Sequence, residues 1–132
     1  MTKNNGRFLS TTIILLTFAH LFNDFYAGFL IPLLSYFQTY LHLTITQVSL
    51  LPTVLAVFGS ILQPMFGFLG DRFDKKHFFV VSGVLCSAIF LSSICFAPGF
   101  IILVLMLIIG SSGVASFHPN GAASVADLSE NK

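Results

Sequence analysis

With 132 residues the chain can form one small soluble domain or about four membrane-crossing helices. Its composition decides between them: 8% of residues are charged, 55% are hydrophobic, and mean hydropathy is +0.91. A soluble fold this small has too much surface for so few charges, a disordered chain is poor in apolar residues, and a net charge of +1 offers no basic field to nucleic acid.

The placement of the charges divides the chain. No Asp, Glu, Lys or Arg stands between Arg7 and Asp24, between Asp24 and Asp71, or between Lys76 and Asp127. A spanning helix needs roughly 20 mainly apolar residues, so each of the two long stretches holds two helices and a turn. The first helix is expected at about 10–37. The segment Thr44-Ile45-Thr46-Gln47 reads as a capping box that opens the second, at about 47–70. Asp71-Arg72-Phe73-Asp74-Lys75-Lys76 is the densest charge cluster, and the third helix follows it at about 77–96. Ala97-Pro98-Gly99 is a compact breaker before the fourth, at about 100–126. The expected fold is all-α, a polytopic transmembrane helix bundle.

Orientation follows from the cations. Lys3 and Arg7 precede the first helix, Arg72, Lys75 and Lys76 lie between the second and third, and Lys132 follows the fourth. All fall on one side, which the positive-inside rule assigns to the cytoplasm, so the N-terminus is expected inside and the protein in the inner (plasma) membrane. Tyr36 and Tyr40 then reach the outer interface. The long first apolar run lacks a small-x-small cleavage site and reads as an uncleaved anchor. Cys86 and Cys95 share one helix about 13 Å apart, too far for a disulfide.

Polar residues inside the spans mark the faces that avoid lipid. The second helix carries Ser49, Thr53, Ala56, Ser60, Gln63, Gly67 and Gly70 on one stripe, which serves either as a tight helix seam or as a cavity lining. Gln63-Pro64 is expected to bend this helix and free a carbonyl. In the first helix Thr17, His20, Asn23, Asp24 and Ala27 recur at spacings of three and four, and His20 and Asp24 are an i,i+4 pair. An intramembrane carboxylate is costly and points to function, either as a proton or substrate group or as structural glue with His20. No metal site is expected, because no further ligand stands near the pair in sequence. In the fourth helix Ser112, Ser116, Asn120 and Ser124 repeat every four residues, with Gly110, Gly113 and Gly121 among them. His118-Pro119-Asn120 is expected to interrupt that helix. Counting rise from residues 10 and 100 puts Asp24 about 21 Å and His118 about 27 Å along their helices, at different depths, so the two are expected not to touch.

These residues resemble a known family. Gly67-Phe68-Leu69-Gly70-Asp71-Arg72-Phe73-Asp74-Lys75-Lys76 is similar to the loop signature G-x-L-x-D-R-x-G-R/K-R/K of the major facilitator superfamily. Gly67, Leu69, Asp71, Arg72, Lys75 and Lys76 match, whereas Asp74 stands where the family has Gly for a tight turn. His20-Leu21-Phe22-Asn23-Asp24 and Phe117-His118-Pro119 are similar to segments of the fosmidomycin-resistance-type exporters. The resemblance implies proton-coupled secondary transport, drug efflux by antiport, and antibiotic resistance. It implies Asp24, His20, Asn23, His118 and Asn120 as proton or substrate residues, and Gln63, from the stripe on the second helix, joins them as a substrate-lining candidate. It also implies Gly67, Gly70, Asp71, Arg72, Lys75 and Lys76 as a gating loop. Partners would be a small-molecule substrate, protons and the lipid bilayer, with no cofactor and no nucleic acid.

The superfamily fold has twelve helices built from three-helix repeats. Residues 1–132 would be its N-terminal fragment, with four helices, and would need the missing C-terminal helices of the same transporter. The run Asp127–Lys132 reads as the loop before a fifth helix. A complete four-helix dimeric small multidrug exporter and a non-transporting membrane adaptor remain as alternatives. No phosphate-cradling loop, paired-cysteine site or nucleophile elbow occurs, so no enzyme is expected.

Overall fold

The computed structural model describes the backbone of residues 2–130 and the side chains of residues 11–129. The side chains of Lys3 and Arg7, and all of Lys132, lie outside those described. Among the described residues five α-helices follow one another: α1 (Thr2–Gly28), α2 (Leu30–Tyr40), α3 (Ile45–Phe73), α4 (Lys76–Ser92) and α5 (Phe100–Glu130). A short 3-10 turn, Ile94–Phe96, extends α4. No strand occurs among the described residues.

Local chemistry explains most of the boundaries. The first span is two helices rather than one. Pro32 has no N–H to give Gly28, and its ring crowds that carbonyl, so the chain breaks at Phe29. The Phe29 N–H instead reaches back to the Tyr26 carbonyl at 3.3 Å. Together α1 and α2 still supply one apolar span, Thr11–Tyr40. α3 opens on a capping box: Gln47 N–H donates to Thr44 Oγ1 at 3.3 Å, and Thr44 N–H donates to Gln47 Oε1 at 2.9 Å. It closes on Asp74, which adopts the left-handed conformation with φ 51° while its N–H caps the Asp71 and Gly70 carbonyls. The turn that the family makes with glycine is thus made here by an aspartate, a residue that tolerates this region.

Two expectations fail in α5. Pro119 does not interrupt the helix, which runs unbroken past it. A proline removes one backbone bond and leaves the others in place, and in lipid every remaining bond is worth keeping. Residues 127–130 are likewise helical rather than loop. α3 also continues through Pro52 and Pro64.

The spans alternate in direction, with α1 and α2 running on as one, and α5 is the hub. Half of its most apolar stretch is buried, against 11% for the first span and for α3. Leu103 and Leu107 of α5 meet Leu91 of α4, Ile94, Leu30 of α2 and Leu51 of α3 in the core, each of these six at most 1% exposed. α4 and α5 cross backbone to backbone. A Cβ on Gly113 would stand 2.6 Å from the Gly83 carbonyl oxygen, and one on Gly83 would stand 2.7 Å from the Gly113 oxygen. Only glycine permits that approach on both sides. Ser116 Oγ donates across the same seam to the Phe79 carbonyl at 2.9 Å. Because α4 is antiparallel to α5, Lys76 at its start meets Asp127 near the end of α5, with Nζ to Oδ2 at 2.8 Å. The start of α1, the α3–α4 loop and the end of α5 therefore share one end of the bundle.

Candidate functional site

α1 and α5 run antiparallel and bring three ionisable side chains together. His20 Nε2 lies 3.1 Å from Asp24 Oδ2 one turn away on α1, and His118 Nε2 reaches Asp24 Oδ1 from α5 at 3.4 Å. The two imidazoles meet edge to face with centroids 5.0 Å apart, and Phe117 packs edge-on to His20 at 5.6 Å. Asp24 and His20 are half-exposed, whereas His118 is partly covered.

This contact overturns the expectation that Asp24 and His118 lie apart. That expectation counted from residues 10 and 100, which are not at matching depths. Both helices are better measured from the same end of the bundle. Asp24 then lies about 24 Å below Tyr40, and His118 about 27 Å below Phe100. The two are level within one turn. A third metal-ligand type of residue therefore does stand beside His20 and Asp24, contrary to the sequence reading.

Asn23, next to Asp24, points the other way. It is fully buried against α4, where Ser87 Oγ and Asn23 Oδ1 are 2.7 Å apart. Ser87 Oγ also lies 3.0 Å from the Val84 carbonyl. One hydroxyl proton cannot serve both acceptors well, and Asn23 Nδ2 is left buried without a partner. Turning the amide by half a rotation resolves both points: Nδ2 donates to Ser87 Oγ, which donates to Val84. Asn23 is thus a strut between α1 and α4. Asn120 is a second strut. Its Nδ2 donates to the Phe66 carbonyl of α3 at 3.1 Å and to the Ser116 carbonyl at 2.9 Å, outside the histidine cluster. Gly70 makes room for it, since a Cβ there would collide with Asn120 Oδ1. Gly67 does the same for Pro119.

The stripe on α3 therefore does both things proposed for it. At one end Gly67 and Gly70 form a seam with α5. Further along, Ala56, Ser60 and Gln63 line a cavity of about 400 Å³ with Ala27, Ser111 and Val114. Ala27 is three residues from Asp24, and Val114 is four from His118, so this cavity begins one turn beyond the histidine cluster on both helices. Ser49 and Thr53 stay exposed and bond back to their own helix.

At the start of α4, Lys76 bridges Asp71 of α3 at 3.6 Å and Asp127 of α5 at 2.8 Å. Arg72 lies over the Phe68 ring at 5.9 Å. Lys75 precedes α4, and its N–H donates to the Gly70 carbonyl at 3.2 Å. Sequence reasoning did not single out Gly83 and Ser87, which were legible as a small-x-x-x-small pair in α4. Phe117 stood in the segment that resembles the exporters, but its packing beside His20 carried no local signal.

Apolar helices of this length, packed through small residues in alternating directions, define a multi-pass membrane protein, and several of its polar side chains, among them Asn23, Ser87, Ser116 and Asn120, are buried between the helices. The comparisons give the class more closely. The family model Major Facilitator Superfamily matches residues 15–132, and the chain belongs to that superfamily of transporters rather than to an enzyme family. It is similar to two proteins of Bacillus subtilis (strain 168) called uncharacterized MFS-type transporters. YfnC is 26% identical over 110 residues, covering 83% of this chain and 27% of that protein. YwoD is 31% identical over 84 residues, covering 64% of this chain and 18% of that protein. The chain thus spans about a quarter or less of the length of these relatives. No solved structure matches it.

Proposed function

We propose that the chain is the N-terminal part of a proton-coupled secondary transporter, an exporter of small molecules or drugs of the fosmidomycin-resistance type. Its N-terminus and α3–α4 loop face the cytoplasm across the plasma membrane. Asp24, shared between His20 and His118, is the proton group. Gln63 and Ser60 offer polar contacts to substrate in the cavity next to it. Gly67, Gly70, Asp71, Arg72, Lys75 and Lys76 form the gating loop, in which Lys76 can exchange between Asp71 and Asp127 as the bundle moves. Asn23 and Asn120 brace the site rather than touch substrate.

The observation that carries this reading is adjacency. A carboxylate bridged by two histidines lies one turn from an interhelical cavity, so gain or loss of a proton there alters the field felt by a bound substrate. The test is Asp24→Asn in the full-length transporter. Expression and membrane insertion are expected to persist while proton-linked efflux is lost. Efflux equal to the parent, measured with the same proton gradient, refutes the assignment.

A further inference from the structure

We propose that His20, Asp24 and His118 form a binding site for a divalent transition-metal ion of the zinc class. Zinc binds imidazole nitrogen at about 2.0–2.1 Å and carboxylate oxygen at about 2.0–2.2 Å, so tetrahedral angles place adjacent donors about 3.3 Å apart. Asp24 Oδ2 stands 3.1 Å from His20 Nε2, and its other oxygen, Oδ1, stands 3.4 Å from His118 Nε2, so each imidazole faces one oxygen of the same carboxylate. All three donor atoms lie within 4.8 Å of one another. The same nitrogen of each histidine faces the carboxylate, and His20 and Asp24 sit at i,i+4, the spacing that sets two ligands on one face of a helix.

A second observation points the same way. A groove of about 120 Å³ between α1 and α5 reaches His20 and His118 and continues past Leu16, Thr17 and Gly121. With Asp24 and His20 half-exposed, a fourth coordination position stays open to water or another small ligand. Two imidazoles and one carboxylate favour zinc, cobalt or nickel over calcium or magnesium, which prefer all-oxygen shells. On binding, the ion accepts a lone pair from each of the two Nε2 atoms and from Asp24. Each neutral imidazole then carries its proton on Nδ1, and no electron is transferred.

The proposal does not depend on the transport reading, because occupancy is measured without transport. The full-length transporter that contains this chain, purified in detergent micelles, is titrated with zinc chloride by calorimetry, and cobalt chloride is added separately to read coordination from its visible spectrum. One ion per chain is expected. His118→Gln and Asp24→Asn should each weaken binding by at least about tenfold, with helix content by circular dichroism unchanged. His118→Cys, which exchanges one zinc ligand for another, should retain binding. A parent chain that takes up no ion, equal binding by all variants, or loss of binding in His118→Cys with helix content intact would overturn the site. Efflux that proves insensitive to Asp24→Asn bears on the transport proposal alone.

Discussion

The two sides of α5 are built on opposite principles. Toward α4 it presents Gly113, Ser116 and Gly110, and the backbones close to within van der Waals contact of each other. Toward α1 it presents His118 and Gly121, and the space between is a groove lined by two histidines, both of which also contact the half-exposed Asp24 carboxylate. The first side has no room for a single methyl group, whereas the second leaves room for an ion or a water. The difference shows where rigidity is placed. One helix pair is locked as a frame, so that the polar groups on the other pair can be held at fixed depth without being sealed.

Substitutions can break or sharpen that contrast. The largest effect is expected from Gly113→Leu. Its side chain has to displace the Gly83 carbonyl and the α4 backbone near Ser87, which costs about 3 kcal/mol, at the upper end of ordinary overpacking. Thermal unfolding followed by circular dichroism in detergent should show an early transition. A parent-like midpoint would mean that the seam is looser than the geometry says. Ser87→Ala comes next, at about 1 kcal/mol, because it removes the bond between α4 and Asn23 while leaving a buried amide behind. The pairing with Asn23 can be isolated by a double-mutant cycle with Asn23→Ala, whose coupling should be positive and vanish if the two do not touch.

The smallest effect belongs on the open side. His20→Gln alters a half-exposed group, and the chain's unfolding midpoint should correspond to less than about 0.5 kcal/mol of change. A large loss there would make the cluster a structural brace and remove the contrast. With this variant neutral for folding, any change in ion binding or efflux reports on the site itself.

Much of this architecture could be read from residue order. The charge-free stretches, the capping box at Thr44 and the breaker at Ala97-Pro98-Gly99 are local signals, and each acts within a few residues of where it is written. The kink at Phe29 was equally local, through Pro32, but the continuous apolar run around it hid the signal. Pro119 shows the reverse error. Packed against α1, α3 and α4, α5 continues through the proline, and Gly67 opposite leaves space for its ring.

For the candidate site the division is sharper. Sequence by itself determined which side chains are anomalous in lipid: Asp24 and His20 share a face because a helix turns every 3.6 residues, and His118 stands in another span. It could not determine that they meet. Whether two spans put their polar groups level depends on where each helix begins and ends relative to the other. A shift of one turn moves a group by about 5.4 Å, enough to separate Asp24 from His118. Only tertiary packing set that register. The Gly83–Gly113 crossing fixes α4 against α5, Asn23 ties α1 to α4, and the three ionisable groups come together as a consequence.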